Sequence, residues 1–173
     1  MNNSPMISVI MPVYNGEEFL REAIESILDQ TYKDFEFLIL YDESSDDSFK
    51  IIQKYVALDS RVKLIKCERT GILGALNKGI RLSKGDFIAR MDADDVCFPE
   101  RFEKQIKFME KENLDICGGD FVIINNNNAF IEHVKVPKTK SEIILTMGFN
   151  VPFAHPSVMI KKEFLKINKL FYG

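Results

Sequence analysis

Apolar and polar positions alternate in blocks along the first two thirds of the chain. Ile7 to Val13 (ISVIMPV) is a continuous apolar run of strand length. It reads as a buried parallel strand that ends near Pro12. Asn15 offers a helix N-cap, with Glu17 and Glu18 in the first turn. Leu20, Ala23, Ile24, Ile27 and Leu28 follow at helical spacing. Phe35 to Tyr41 (FEFLILY) is a second strand. The polar loop Asp42 to Asp47 comes next, where Ser45 or Asp46 caps a helix with Ile51, Ile52, Tyr55 and Val56 on one face. Val62 to Lys66 is a short strand. Gly71 and Gly74 lead into a helix that ends near Lys84-Gly85, where glycine suits the C-terminal cap. Phe87 to Met91 is another strand. Pro99 to Glu112 reads as a helix with Pro99 in its first turn and Phe102, Ile106 and Met109 on one face.

This β-α-β-α-β-α-β-α order predicts an α/β fold: a mostly parallel central sheet with helices on both faces. Right-handed crossovers put the C-terminal ends of the strands on one edge, where ligands of open α/β sheets bind. Tyr14-Asn15, Asp42 and Asp92-Ala93-Asp94-Asp95 are therefore expected to converge. After Glu112 the pattern changes. Ile116 to Ile124 and Phe130 to Val136 flank four asparagines, Asn125 to Asn128, which suit a turn. Ser141 to Met147 is expected to form a short helix, and Val158 to Ile160 and Glu163 to Leu170 a further strand and helix. Residues 1–112 then form a ligand-binding part and 113–173 a smaller part of different pattern.

The chain of 173 residues is 46% hydrophobic and 28% charged, enough for a substantial core. A net charge of -3 gives no general attraction to nucleic acid. No apolar run approaches the roughly 20 residues of a membrane-spanning helix. No signal peptide is visible at the N-terminus. Cys67, Cys97 and Cys117 lie far apart without a CxxC pair, which argues against zinc and fits reduced thiols in the cytoplasm.

The candidate chemistry centres on FIARMDADD, Phe87 to Asp95, where an apolar run with one arginine stops at three carboxylates. Like charges so close need compensation. Asp92 and Asp94 are two positions apart and face the same way on an extended backbone. Oxygen ligands of this kind suit Mg²⁺ or Mn²⁺, with water and a phosphorylated ligand completing the shell. The alternative is a solvated turn ahead of the helix at Pro99. Asp42, at the next strand end, can accept a hydrogen bond from a base imide or a ribose hydroxyl, or cap a turn. Tyr14 can stack on a base, or pack in its loop. Neither GxGxxG nor GxxxxGK[ST] occurs, which argues against the ordinary dinucleotide and P-loop sites.

Ser8 to Gly16 (SVIMPVYNG) resembles the opening of the family 2 glycosyltransferases, which have the GT-A fold. The similarity runs on through Ser26-Ile27-Leu28-Asp29-Gln30-Thr31-Tyr32, Asp42 to Asp46, Ala75-Leu76-Asn77-Lys78-Gly79-Ile80, Gly85-Asp86-Phe87-Ile88 and Asp92-Ala93-Asp94-Asp95. It ends with Pro99-Glu100-Arg101-Phe102 and His155-Pro156-Ser157-Val158-Met159. The resemblance implies a transferase of nucleotide-sugars, most often UDP-sugars, that inverts the anomeric centre. It implies that Pro12, Val13, Tyr14 and Glu17 surround the base and ribose and that Asp42 contacts the uracil. Asp92 and Asp94 would form the DxD motif, with Asp94 on Mn²⁺ or Mg²⁺ and Asp92 on the ribose or the metal shell. Arg69 would approach the diphosphate. Asp95 and His155 are further candidates near the metal. The implied acceptor is a glycan or lipid-linked glycan, and the implied setting the cytoplasm, with peripheral contact at the inner face of a membrane.

The chain departs from the family pattern in three places. Tyr41 replaces the acid often paired with Asp42. The arginine often found near Ala75-Leu76 is absent, leaving Arg69, Lys78 or Arg81 as substitutes. The general base, an acid on the acceptor side, is not identified. Glu132 and Glu163 suit surface roles better, and the base is expected beyond Gly173. Two competitors follow. A sugar-phosphate nucleotidyltransferase would want a glycine-rich basic loop where Asn15-Gly16-Glu17-Glu18 stands. A nucleotide-sugar-binding module without transfer fits the missing base. A calcium-binding EF-hand loop is excluded by the spacing of the acids.

Overall fold

The computed structural model describes residues 6–69 and 71–173. Its elements follow the chain as β1 (Ile7–Val13), α1 (Leu20–Leu28), β2 (Phe35–Tyr41), α2 (Ser48–Leu58), β3 (Val62–Lys66), α3 (Gly71–Leu82), β4 (Phe87–Arg90) and α4 (Arg101–Lys111). Then come β5 (Ile116–Cys117), β6 (Phe121–Ile124), β7 (Phe130–Val134), α5 (Lys140–Met147), a 3-10 helix (His155–Ser157), β8 (Met159–Lys161) and α6 (Lys162–Ile167).

Six strands form one sheet in the order β3-β2-β1-β4-β8-β5. The first four are mutually parallel; β8 lies antiparallel to both β4 and β5. Two of these six strands come after residue 112. The central strands are buried on both faces, as their unbroken apolar runs require. Their side chains divide by parity. Ile7, Val9, Met11 and Val13, with Phe35, Phe37, Ile39 and Tyr41, face a layer made by α1, α2 and α4. Ile10, Leu38, Leu40 and Ile88 face Ala75, Leu76 and Ile80 of α3. Each such side chain, once buried, contributes about 1.5–3 kcal/mol before entropy is charged against it. Pro12 is tolerated inside β1 because β4 pairs with β1 only as far as Ile10, so no β4 residue lies opposite the missing N–H.

The chain runs outward from β1 to β3, then returns to place β4 on the other side of β1. This reversal opens a crevice at the C-terminal ends of β1 and β4. At the opposite edge a polar cluster joins the strand starts. The Glu36 carboxylate, 3% exposed, accepts from Ser8 Oγ, the Lys84 backbone N–H and Lys63 Nζ, each at 2.7 Å. Burial pushes this carboxyl up, but the bonds from Lys63, Ser8 and Lys84 outweigh it and hold it below its ordinary value of 4.5.

Several expected boundaries move. Asn15 is not a helix cap: α1 begins at Leu20, and Asn15 sits at φ 47° with its side chain engaged elsewhere. Ser45 does not cap α2; the Asp46 carboxylate does receive the Ser48 N–H at 3.1 Å, although Asp47 is the residue at the N-cap position. Val56 is partly exposed rather than part of the buried face. α4 starts two residues after Pro99. Gly85 is not a left-handed cap. A Cβ there would stand 2.5 Å from the Ser8 nitrogen and 2.6 Å from the Ile7 carbonyl carbon, so glycine permits contact with the start of β1. The asparagine run does make a turn, between β6 and β7, with Asn128 at φ 59° and Asn125 Oδ1 accepting from the N–H of Asn127 and Ala129. The short helix near 141–147 is α5, whose Thr139 and Glu142 form a capping box. Cys67, Cys97 and Cys117 are free and buried.

Candidate functional site

The crevice is an open cleft of about 990 Å³. Pro12 and Val13 at the end of β1 line it with Tyr14 and Asn15, together with Asp42 and Glu43 after β2, and Asp92, Ala93 and Asp94 after β4. The parallel sheet thus brings together residues as far apart in the chain as Pro12 and Asp94, as the strand order requires.

One wall is held by bonds between two loops. Asn15 Oδ1 accepts from the Ser45 N–H at 2.9 Å, and the Asn15 N–H donates to Ser44 Oγ at 3.0 Å. The Gly16 N–H donates to Ser48 Oγ at 2.9 Å. The Glu17 N–H donates to Asp46 Oδ2 at 2.9 Å, while the Glu17 carboxylate accepts from the Asp47 N–H at 2.7 Å. Glu17, a candidate for the base and ribose, is therefore engaged in the wall and is not among the cleft-lining residues, whereas its neighbour Glu18 is. Tyr14 is two-thirds exposed on the rim, free to offer a ring face to a planar ligand. Asp42 Oδ1 accepts from the N–H groups of Glu43 at 3.1 Å and Arg69 at 2.8 Å, leaving Oδ2 without a partner among the described residues. Arg69 lines the cleft, but its guanidinium pairs with Glu43 at 3.0 Å, both side chains being well exposed.

The other wall carries the acids. One oxygen from each of Asp92, Asp94 and Asp95 lies within 4.8 Å of the others. Arg90 is buried at the end of β4 and grips Asp92 with two nitrogens: Nη1 to Oδ2 and Nη2 to Oδ1, both 2.8 Å. Burial pushes the Asp92 carboxyl up and Asp94 adds to that push, against the opposing pull of Arg90 and His155. Asp95 is pushed up to about 6, first by burial and then by Asp92 and Asp94, despite Arg90 and Arg101. An acid this reluctant to ionise beside two others marks a place where positive charge is in deficit. Three convergent hard oxygens with room for further ligands are a donor set that fits Mg²⁺ or Mn²⁺. His155 starts the 3-10 helix, but it is not among the three clustered ligands.

The loop after the acids is held down from α1. Ser26 Oγ accepts from the Cys97 N–H at 3.0 Å, and the Thr31 N–H donates to the Pro99 carbonyl at 2.9 Å. The fully buried Gln30 donates to the carbonyls of Phe98 at 2.8 Å and Ser26 at 3.1 Å, and accepts from the Phe102 N–H at 3.1 Å. Phe102 lies in the first turn of α4, whose own N-cap residue makes no side-chain bond, so Gln30 satisfies one of that helix's orphan donors from a distance. Arg101 reaches back to the carbonyls of Arg90 at 3.0 Å and Val158 at 3.3 Å.

Sequence reasoning did not assign a role to Arg90, Gln30 or Arg101. For Arg90 a signal existed: positions 90 and 92 share a face of an extended strand, so a charged residue in a buried run pointed at its partner. Gln30 and Arg101 carried no such signal, since their bonds cross 72 and 57 positions of chain.

A mostly parallel α/β sheet with an acid cluster and an open cleft at its switch point defines the doubly wound class of α/β folds, in which ligands sit at the strands' C-terminal edge. Comparison with known proteins narrows it. The sequence matches glycosyl transferase family 2 over residues 8–166, and the chain belongs to that family. It is 39% identical over 171 residues to the O-antigen biosynthesis glycosyltransferase WbnJ of Escherichia coli, covering 97% of this chain and 66% of the relative. It is 40% identical over 168 residues to a UDP-Glc:alpha-D-GlcNAc-diphosphoundecaprenol beta-1,3-glucosyltransferase, WfgD, of the same organism, covering 87% of this chain and 65% of the relative. The chain thus spans somewhat less than two thirds of their lengths. Among solved structures, Staphylococcus aureus TarS 1-349 in complex with UDP-GlcNAc superposes with a TM-score of 0.75 at 23% identity, covering 95% of this chain and 48% of that one. A mannosyltransferase from Pyrobaculum calidifontis, in complex with GDP-Man and Mn²⁺, gives a TM-score of 0.70 at 18% identity, covering 95% and 47%. The fold is the GT-A fold of these glycosyltransferases.

Proposed function

We propose that the chain binds a nucleotide-sugar, a UDP-sugar by preference, with a divalent cation, as the donor half of an inverting glycosyltransferase. The observation that carries this reading is the acid cluster facing Asp42 and Tyr14 across one cleft. That arrangement offers separate receptors for base, ribose and diphosphate. In this reading residues 1–112 hold the donor and 113–173 begin the acceptor side. Tyr14 stacks on the base, and Asp42, fixed through Oδ1, accepts from the base imide through Oδ2. The backbone of Pro12 and Val13 shapes the floor. Asp94 and Asp92 hold Mn²⁺ or Mg²⁺, with Asp95 beside them. The ion, when bound, neutralises charge that grows on the departing diphosphate, an effect worth several kcal/mol. Arg69 stands at the rim, where exchanging Glu43 for a phosphate oxygen brings it to the diphosphate.

The acceptor in this reading is a glycan in lipid-linked form, the kind named for the E. coli glucosyltransferase, presented to an enzyme that works in the cytoplasm at the membrane face. Among the described residues no helix is long and apolar enough to cross a membrane. Glu132 in β7 and Glu163 in α6, the acids weighed as general base, do not line the cleft. The base would then belong to the acceptor side.

Calorimetric titration of UDP, GDP and ADP with and without Mn²⁺ tests the proposal. The expected result is UDP binding that requires Mn²⁺ and is lost in Asp94→Ala. Equal binding by that variant would overturn the metal assignment, and absence of nucleotide binding in the wild type would overturn the function.

A further inference from the structure

We infer that Arg90 is the positioning residue of this site: it fixes the Asp92 carboxylate so that its free lone pairs address the cleft. The inference rests on the proposed nucleotide-sugar function and concerns how the same site is held ready.

A carboxylate offers about four lone-pair positions. The two Arg90 Nη atoms take one from each Asp92 oxygen, both at 2.8 Å. A planar fork on both oxygens stops the carboxylate from rotating, which a single point charge cannot do. One position per oxygen remains for a ribose hydroxyl, a metal ion or its water.

The Arg90 side chain is itself immobilised. It is 6% exposed, its backbone is paired with β1 opposite Ile10, its N–H donates to the Val158 carbonyl at 3.0 Å and its carbonyl accepts from Arg101. Stability alone does not account for it. Arg90 Nε is buried with no hydrogen-bond partner among the described residues, and the group borders a small, largely apolar cavity whose lining includes Ile10, Ile80, Ile88, Leu165, Phe171 and Tyr172. A buried ion pair with an unmatched donor in an apolar setting is poor material for stabilising a fold, since apolar residues of similar volume do as well or better. What it does supply is orientation of the acid nearest the strand end. Supporting groups of this kind around metal ligands are worth about 10–100-fold in metal affinity.

The test is a double-mutant cycle on Arg90→Met and Asp92→Ala, read as UDP affinity with and without Mn²⁺ by calorimetry, with Mn²⁺ binding alone followed by electron paramagnetic resonance. The decisive quantity is the ratio of the two UDP affinities, the gain that Mn²⁺ confers. Each single variant is expected to reduce that ratio about 10–100-fold, and the double variant to match Asp92→Ala, because Arg90 acts through Asp92. A double variant whose loss is the product of the single losses would overturn the inference, as would Arg90→Met with an unchanged ratio. Should either single variant fail to fold, Arg90→Lys carries the test. It keeps the charge and loses the two-point grip, so a reduced ratio is expected and a wild-type ratio overturns the inference. A wild-type chain that shows no gain from Mn²⁺ overturns the underlying functional reading instead, which separates the two failures.

Discussion

Gln30 joins three segments that meet below the acid cluster, and its replacement by methionine isolates what those bonds contribute. The substitution keeps the volume of the side chain and removes three hydrogen bonds: to the Ser26 and Phe98 carbonyls and from the Phe102 N–H. The Phe102 N–H is fully buried at the start of α4, where no other side chain caps the helix, so water cannot replace the lost acceptor. Loss of a cap costs about 0.5–2 kcal/mol. The Phe98 and Ser26 carbonyls are only partly buried, and their bonds are worth about 0.5–1.5 kcal/mol each. The sum is about 1.5–5 kcal/mol, a sizeable part of the 5–15 kcal/mol typical of a domain. For a chain of this length that lowers the melting temperature by about 3–20 °C. Urea denaturation followed by circular dichroism measures the stability. Calorimetry on the same samples, under folding conditions, should show Mn²⁺-dependent UDP binding weakened by about tenfold, because the loop that follows the acids loses its anchor. A variant within about 0.5 kcal/mol of wild type would refute the assignment of Gln30 as a remote cap. A destabilised variant with wild-type UDP affinity would refute the link between this clamp and the site.

Two further outcomes follow from the far edge of the sheet. Glu36→Gln keeps an acceptor for Ser8 and Lys84 but gives up the charge facing Lys63, a half-exposed partner, so the loss at neutral pH is about 1–2 kcal/mol. Glu36 is held below its ordinary value of 4.5, so its stabilising contribution is complete above that pH and is lost as pH falls through the lower folded value. The gap between wild type and Glu36→Gln in urea midpoints should therefore narrow on acidification, and a constant gap would count against the network. Gly85→Ala places a methyl 2.5 Å from the Ser8 nitrogen; a loss of about 1–3 kcal/mol in urea denaturation is expected, and an unchanged midpoint would mean that the loop moves away freely.

The first four strands were legible because each is a continuous apolar run bounded by turn residues, and their parallel order fixed which ends share an edge. That reasoning alone brought Tyr14, Asp42 and Asp92 together. β8 was expected within one residue, but not its antiparallel place on the free edge of β4, and the expected run Ile116 to Ile124 splits into β5 and β6 in separate sheets. Asn15 shows a different limit. An N-cap and a loop tie ask for the same short polar side chain, and only the position of Ser45 in the neighbouring loop of the same wall decides between them. Arg90 and Asp92 mark the middle ground, since their spacing was visible but the two-point bond between them was not.

The bonds between the two wall loops have a consequence for how this protein can change over time. Asn15, Gly16 and Glu17 meet the second loop in an interleaved order: Asn15 holds Ser44 and Ser45, Gly16 holds Ser48, and Glu17 holds Asp46 and Asp47. Adding or deleting a single residue within either loop would break several of these ties at once. Most surface loops drift in length between relatives, but these two hold each other to a fixed length. Diversity around the cleft is therefore reached by exchanging side chains at fixed positions, and new lengths of chain by insertion elsewhere.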